Sequence, residues 1–598
     1  MKLGLAFASV LALSTAACAS GTAIEALNAM QILENNPSDG ISYASGSGSG
    51  GNLTLKNVTF KSAMPDMAMA LEGGGEDAAP AAPAAPKASE VVAQAETVTF
   101  TGLDMKAGKP VFTGMVVNGI TPAGMGIDPG MTMKIGSIGI EGLNAATGAY
   151  IAGAFTKEGP GEAPPFDQWA FAKASIKGFT IAGDIPADES DDGTAGTPGS
   201  VKLELGEFSI SNVKDKLIGL TRVAGIKGDI NVPGDFPIAG TFDFGTLDLT
   251  NIRGGLYADA FGAGVASAMP NAPPTDWSKV FSGFTSPLEY GLDGIKWSGM
   301  SANFSGLKLD GTPASYTATR NADGVVVATA VPRSAFKLTA DSQGGSLGAM
   351  GLMVMAMAGY PTNVVEVYTQ GDASFDPQKD LTRYTNYNVG ITDVVDIKVE
   401  GGLLGLKQAL PTLLTGMMTV AEATSSVASK AVEEGEEAAE GEDDADADED
   451  ADADAEDSDA DGNPLDSIPP EAQGAVMQMV MGLIGLQVTD LDISITDKQL
   501  VKFILAQTAS SSGQSVEAYR QDLVSMVQGS SVFMTDAGID EALANEATAA
   551  IAGFLREPGT LRIQIKPKTP VGAMTFMMSP PTKESLGFSA TFTPAVPK

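Results

Sequence analysis

The sequence predicts a mainly β protein with an α+β C-terminal part. Long, bulged antiparallel strands form a large curved sheet, with Met-rich and C-terminal helices packed on that sheet. Three observations carry the prediction. Glycine is abundant, 71 of 598 residues, and hydrophobic residues (43%) far outnumber charged ones (18%), which supplies cores and favours strands joined by turns. From about residue 52 to 340 apolar residues alternate with polar ones, the period of a half-buried strand. After 340 the alternation gives way to Met-rich apolar stretches and, near the C-terminus, to helical patterns.

The strand region carries a recurrent motif, apolar-x-apolar-x-(Gly/Asn/Asp)-apolar-x-apolar. Copies begin at Leu53, Val98, Ile138, Ala174, Tyr290 and Ala302, with looser ones at Phe208, Leu247 and Val389. A strict strand keeps its apolar residues at period two. Here the apolar set slips by one residue at the small or turn-forming position. A β-bulge built on a left-handed residue produces that slip and bends the strand; a tight hairpin is the rival reading. Bulges are preferred because hairpin arms of three residues are too short to be stable. Copies from Leu53 to Tyr290 start about 34 to 45 residues apart, a spacing that fits strand–loop–strand units of a curved sheet better than propeller blades, which lack any blade signature here.

The C-terminal elements follow in order. Gly345 to Tyr360, Gly402 to Val420 and Ala472 to Gln487 are apolar and Met-rich, and read as helices too short for a membrane span. Strands are expected at Asn363 to Tyr368 and Val488 to Thr496. Asp497 caps a helix to about Ala509, Ser515 caps a second to about Gln528, and a third runs from about Asp536 to Arg556. Strands at Leu561 to Lys566, Ala573 to Met578 and Gly587 to Thr593 complete the chain. At the other end, a short helix is expected within Thr22 to Glu34.

A chain of this length exceeds what one core usually organises. The expected division is a signal peptide at 1–19, a β-rich, repeat-like domain at 20–340 with a low-complexity insert at 73–94, and an α+β domain at 341–598 with a disordered acidic insert at 422–468. The leader has Lys2, an apolar stretch from Leu3 to Leu13 and small residues up to Cys18, the pattern of a secretory signal peptide. Cleavage before Ser20 would free the protein; acylation of Cys18 would tether it to a membrane by a lipid anchor. The expected location is the periplasm, outer membrane or cell surface of a bacterium.

Composition excludes much chemistry. Net charge is −37, and residues 433–461 hold 18 Asp/Glu and no Lys/Arg, which leaves −19 elsewhere. Nucleic-acid binding is disfavoured on that ground. The sequence has no histidine and one cysteine, Cys18, so no His-dependent triad or zinc site and no disulfide are expected in the mature body. A Ser-Lys pair at Ser334 and Lys337 has catalytic spacing but sits in strand-like sequence, where it reads as coincidence. No cofactor is expected and the protein reads as a non-enzyme.

Two candidate sites remain. Asp457, Asp459, Asp461 and Asn463 place oxygen ligands at alternate positions before a turn, as a calcium loop opens, but Ile468 stands where the bidentate Glu belongs; a solvated acidic linker is the bland reading. Met350, Met353, Met355 and Met357, with Met477, Met479 and Met481, could line a site for an apolar ligand, since methionine adapts to irregular shapes; core packing is the bland reading. The leading expectation is a non-catalytic cell-envelope binding or scaffolding protein that holds lipid or another apolar ligand in a sheet-lined groove, or meets an envelope protein. The alternative is a structural or cell-surface interaction protein with a calcium-responsive acidic linker. A His-independent hydrolase is third.

Overall fold

The computed structural model describes residues 21–34, 40–62, 90–122, 130–157, 159, 162–185, 198–234, 237–254, 277, 281, 283–357, 360, 362–421 and 470–596. The expected leader with Cys18, residues 73–89, the acidic insert 422–468, and Asp457, Asp459, Asp461 and Asn463 lie outside them.

The order begins with α1 (Gly21–Ala29), β1 (Ile32–Glu34), β2 (Gly40–Tyr43), β3 (Ser45–Ser49), β4 (Asn52–Ser62), β5 (Glu90–Thr101), β6 (Asp104–Lys106), β7 (Lys109–Val111), β8 (Gly114–Pro122), β9 (Met131–Glu141) and α2 (Ala145–Gly153). Strands β10 (Phe171–Ile185), β11 (Gly199–Lys214), β12 (Leu217–Val232), β13 (Ile238–Asp243), β14 (Thr246–Arg253), β15 (Gly294–Trp297), β16 (Met300–Phe304), β17 (Leu307–Gly311), β18 (Ala314–Arg320) and β19 (Val326–Ala340) follow. Then come α3 (Ser346–Met357), β20 (Val364–Asp376), β21 (Leu381–Ile391), β22 (Val395–Leu404), α4 (406–421), α5 (Pro470–Ile484), β23 (Gln487–Asp497), α6 (Leu500–Ser512), α7 (Val516–Asp536), α8 (Glu541–Arg556), β24 (Gly559–Ile565), β25 (Val571–Gly572), α9 (Ala573–Met578), α10 (Lys583–Leu586) and β26 (Phe588–Pro594). The protein is mostly β: 24 strands belong to one mixed sheet, and β6 with β7 form a separate two-stranded one. Among the described residues no helix is long and apolar enough to cross a membrane.

The chain divides into two compact units. The first comprises residues 1–255, 292–316 and 334–367; the second comprises 256–291, 317–333 and 368–598.

In the first unit β4, β5, β8, β9, β10, β11, β12 and β14 pair antiparallel in that sequence, and β15 pairs with β14. Each of the first eight has a left-handed residue within it or directly after it: Asn57, Gly102 (just past β5), Gly119, Gly142 (just past β9), Gly178, Asn212, Gly225 and Asn251, all with φ between 49 and 67°. All but Gly225, which has Thr221 four residues before it, follow a stretch with apolar residues at the second and fourth positions before them, such as Val98 and Phe100 before Gly102. Antiparallel neighbours run in opposite directions, so the same local pattern puts the bend at alternate ends of a shared central band. The left-handed residues therefore fall on two transverse lines, alternating from strand to strand, and the two lines cross any one strand six residues apart.

The slip of side chains predicted from the motif is what these residues produce. Leu53 and Leu55 precede Asn57 and Val58 follows it, yet all three enter one core. An extra residue is not needed. Pairing stays in step through Asn57, from Lys56↔Thr97 to Val58↔Ala95, and through Gly178, from Lys177↔Glu207 to Phe179↔Leu205. Register shifts do occur elsewhere, between Phe60 and Lys61 and between Tyr384 and Tyr387. In the copy starting at Ala302 the hairpin reading holds instead: Phe304 faces Leu307 across a two-residue turn, Ser305 (φ 44°) and Gly306 (φ 88°). In the Tyr290 copy the left-handed residue is Gly291, not Gly294. The unit's core lies where α1 covers the start of the sheet: Ala26, Leu27 and Met30 join Leu55, Val58, Phe100 and Phe112, each at most 2% exposed. The helix expected over 22–34 stops at Ala29, because Gln31 turns left-handed (φ 59°) and Ile32–Glu34 pairs in parallel with β2.

In the second unit β21, β22, β23, β24 and β26 pair antiparallel in that order. Helices α6 and α8 cover one face, with Val501, Leu505, Ala550 and Phe554 packed on Ile495, Leu561, Ile563 and Phe592. Asp497 does serve the start of α6, accepting from the Val501 amide at 3.2 Å, and Gly513 ends that helix with φ 69°. Ser515 caps α7, which continues past the expected Gln528 to Asp536. Asp540 caps α8, four residues later than expected. Ala573–Met578 is a helix and not the predicted strand: the Thr575 hydroxyl accepts from the Gly572 amide, which closes a first turn after the two-residue strand β25.

Candidate functional site

The strand register of the first unit gathers apolar residues that the sequence scatters. Directly opposed residues of an antiparallel pair share a face. Leu55, Val98, Val117, Ile138, Ile176, Phe208, Val223, Leu247 and Trp297 are opposed one after another across nine strands. The adjacent line runs Leu53, Phe100, Met115, Ile140, Ala174, Ile210, Thr221, Leu249 and Ile295. Between these lines, on the opposite face, lie Thr54, Thr99, Ser175, Ser209, Arg222 and Asp248. Arg222 holds Asp248 with two parallel hydrogen bonds of 2.7 and 2.8 Å. That contact, above all the hydrogen bond, lowers the Asp248 pKa and raises that of Arg222.

Exposure changes along the apolar band. Leu55, Val98 and Val117 are 1–7% exposed, within the core. Ile138 reaches 37%, and Ile176, Phe208, Val223, Leu247 and Trp297 are half-buried. From β9 to β15 the band is therefore continuous with the core yet partly open. Six strands at about 4.8 Å spacing make it about 24 Å long, and it is two side chains wide. The Trp297 indole donates to the Phe244 carbonyl at 2.9 Å and its ring lies 5.6 Å from Phe336, which fixes a bulky aromatic at the far end.

The methionines divide. In α3, which packs on β17, Met355 is buried, while Met350, Met353 and Met357 are 51–79% exposed. In α5, Met479 lies against Gly416 of α4, a close approach of two helices that a side chain at 416 would block. Met477 and Met481 are exposed. Met355 and Met479 thus serve packing, and the other five are exposed. Ser334 is buried and Lys337 exposed; their odd spacing within β19 puts them on opposite faces. Among the described residues no group of three or more acidic, His or Cys side chains is placed to hold a metal.

The second unit carries a polar cavity of about 380 Å³ on the sheet face away from α6 and α8. Register builds it: Asn388 is opposed to Lys398 and Lys398 to Ser494, while Asp396 is opposed to Thr496. Arg333, Tyr368, Thr392 and Lys498 complete the wall. The Tyr368 hydroxyl donates to Asp396, Lys498 reaches the other carboxylate oxygen at 2.8 Å, and the Arg333 guanidinium lies 3.8 Å above the Tyr368 ring. Burial first, and then Asp396, push the Tyr368 hydroxyl up to about 12. Burial alone would raise Asp396, but hydrogen bonds from Lys498 and Tyr368 and the charges of Lys498 and Arg333 outweigh it and lower its pKa.

Sequence reasoning missed this cavity because its residues are dispersed from 333 to 498. The available signal was alternation: Asp396-x-Lys398-x-Glu400 and Asp492-x-Ser494-x-Thr496 put polar side chains on one face, with Ile397, Val399, Ile493 and Ile495 on the other.

A family model described only as "Uncharacterized protein" matches residues 391–591, about a third of the chain and within the second unit. No curated protein and no solved structure matches the chain.

Proposed function

We propose that this is a non-catalytic binding protein of the bacterial cell envelope that holds an acyl chain, or a similarly long apolar ligand, along the apolar band of the first unit. The observation that carries the reading is the uninterrupted apolar line from Ile138 to Trp297, in register over six strands and half-buried instead of sealed. A long strip two side chains wide suits an extended chain better than a compact ligand or a globular partner. Burying such a ligand there would contribute roughly 25 cal/mol per Å² of apolar surface removed from water. The leader-like first residues, with Cys18 as a candidate lipid anchor, support placement in the envelope, and a sequence without histidine supports a non-catalytic role.

The test uses Trp297 as the reporter, after Trp169→Phe and Trp277→Phe. A brominated fatty acid is expected to quench its fluorescence saturably, and unbrominated fatty acid to compete. Phe208→Asp, which puts a charge in mid-band, is expected to weaken binding at least tenfold. Absence of saturable quenching, or equal quenching in Phe208→Asp, overturns the proposal.

A further inference from the structure

We propose that one helix in each unit carries a reversible site of methionine oxidation. Met350, Met353 and Met357 on α3, with Met477 and Met481 on α5, take up oxygen from hydrogen peroxide while the fold stays intact. Thioethers hold almost all the sulfur of the sequence, with 26 methionines against one cysteine.

The two helices share one layout. α3 packs through Gly348, Gly351 and Met355, spaced three and four residues apart and so on one face. A Cβ at 351 would stand 3.0 Å from Leu307 and 3.1 Å from Ala340, and Met355 is 6% exposed. α5 packs on α4 through Ala475, Met479 and Gly482, spaced four and three apart. A Cβ at 416 would stand 2.9 Å from the Ala475 carbonyl and 3.5 Å from the Met479 sulfur, and one at 482 would stand 3.1 Å from Leu413. With 3.6 residues per turn, Met350, Met353 and Met357 lie opposite the packed face of α3, and Met477 and Met481 opposite that of α5. All five are 51–79% exposed. The helices belong to different units, so the layout arises twice.

At a packed position methionine supplies a flexible apolar side chain, the use made of Met355 and Met479. At an exposed position it differs from leucine chiefly in its sulfur. No ionisable side chain lies between Ser346 and Met357 or between Ala472 and Ile484, which leaves the thioethers as the reactive groups of these faces. A sulfur lone pair attacks one peroxide oxygen. The S–O bond forms, the O–O bond breaks, and the departing hydroxide takes the proton of the first oxygen to give water. Sulfur is oxidised by two electrons and peroxide reduced by two. The product is a polar sulfoxide that methionine sulfoxide reductases return to the thioether. Facing water, it leaves the packing untouched. At Met355 or Met479 the same oxygen would sit against packed apolar neighbours, where a polar group without a partner is destabilising.

The experiment treats the full chain with excess hydrogen peroxide, follows each methionine by peptide mass spectrometry and reads urea unfolding in parallel. The five exposed methionines are expected to convert at least fivefold faster than Met355 and Met479. The two stereospecific methionine sulfoxide reductases together should restore all five without denaturant. A variant combining Met350→Leu, Met353→Leu, Met357→Leu, Met477→Leu and Met481→Leu should unfold at the same urea midpoint as the parent after equal treatment. Conversion of Met355 or Met479 as fast as the five would overturn the proposal. So would a midpoint that falls in the treated parent but not in the treated variant, or sulfoxides that the reductases leave in the folded protein.

Discussion

Substitution at Gly178 tests the account of the bends. Its φ is 64°, and a Cβ built there would meet only Gly136, with Cα at 3.4 Å and N at 3.5 Å, which is ordinary contact. Alanine at 178 therefore suffers from backbone conformation and not from collision. The left-handed region costs a residue with a Cβ about 1–2 kcal/mol. Loss of glycine's freedom in the unfolded chain returns about 0.4–1 kcal/mol. The net expectation for Gly178→Ala is a loss near 1 kcal/mol. Asparagine visits this region more readily, and the chain itself uses it at 57, 212 and 251; Gly178→Asn should lie within about 0.5 kcal/mol of the parent. Urea unfolding followed by circular dichroism reads the difference. With a slope of about 2–3 kcal/mol/M, the alanine variant's midpoint should fall by roughly 0.3–0.5 M and the asparagine variant's hardly move. The reciprocal pair, Asn57→Gly and Asn57→Ala, should behave the same way. If alanine is tolerated at 178 as well as asparagine, the left-handed residue is not what makes the bend.

Other expectations follow from the second unit. Glu289 is fully buried and meets Arg320 at 3.1 Å; Arg320→Ala should destabilise by about 3–5 kcal/mol, and pairing it with Glu289→Gln should recover much of that in a denaturation cycle. Burial raises the Asp497 pKa despite three backbone hydrogen bonds. The folded state thus favours the protonated acid, a contribution complete below the ordinary Asp range and lost as pH rises through the raised value. Asp497→Asn, which keeps an acceptor for Val501, should be at least as stable as the parent at pH 7, while Asp497→Ala should lose about 1 kcal/mol; thermal melts at pH 4 and 7 distinguish them. One tyrosine should titrate near 12 by absorbance, and Asp396→Asn should bring it down by removing a partner that favours the neutral phenol. The stability linked to Tyr368 is full below the ordinary value of 10.0 and is lost through about 12.

The amino-acid pattern made the bends legible where an apolar pair, a turn-forming residue and a second apolar pair stand together, as around Asn57, Gly102, Gly142 and Gly178. It concealed those at Gly119 and Gly225. In Met115-Val-Val117-Asn-Gly119 the apolar residue Val116 fills the position that should be polar, and in Thr221-Arg-Val223-Ala-Gly225 a threonine opens the pair. Neither exception disturbs the backbone, because the left-handed glycine acts regardless of its neighbours. Helices were legible in kind but not in extent, since caps such as Asp540 compete with other nearby Asp and Ser residues. The sequence raised an apolar site on a sheet without assembling its residues, and it gave no sign of the polar cavity as a unit. The apolar band and the polar cavity are properties of register, which pairs Phe208 with Val223 and Lys398 with Ser494, and no single segment contains them. The methionines drew attention because they cluster in sequence, yet five of the seven are exposed.

Because every strand from β8 to β12 enters and leaves the central band after the same number of residues, neighbouring strands are interchangeable as far as the bends are concerned. A strand pair could be duplicated or lost and the remaining creases would still line up. A single residue inserted between two creases of one strand would not be absorbed so easily, since it would turn that strand's side chains over against both neighbours. Variation in length should therefore accumulate in the connections, by whole hairpins, while the distance between the creases stays fixed.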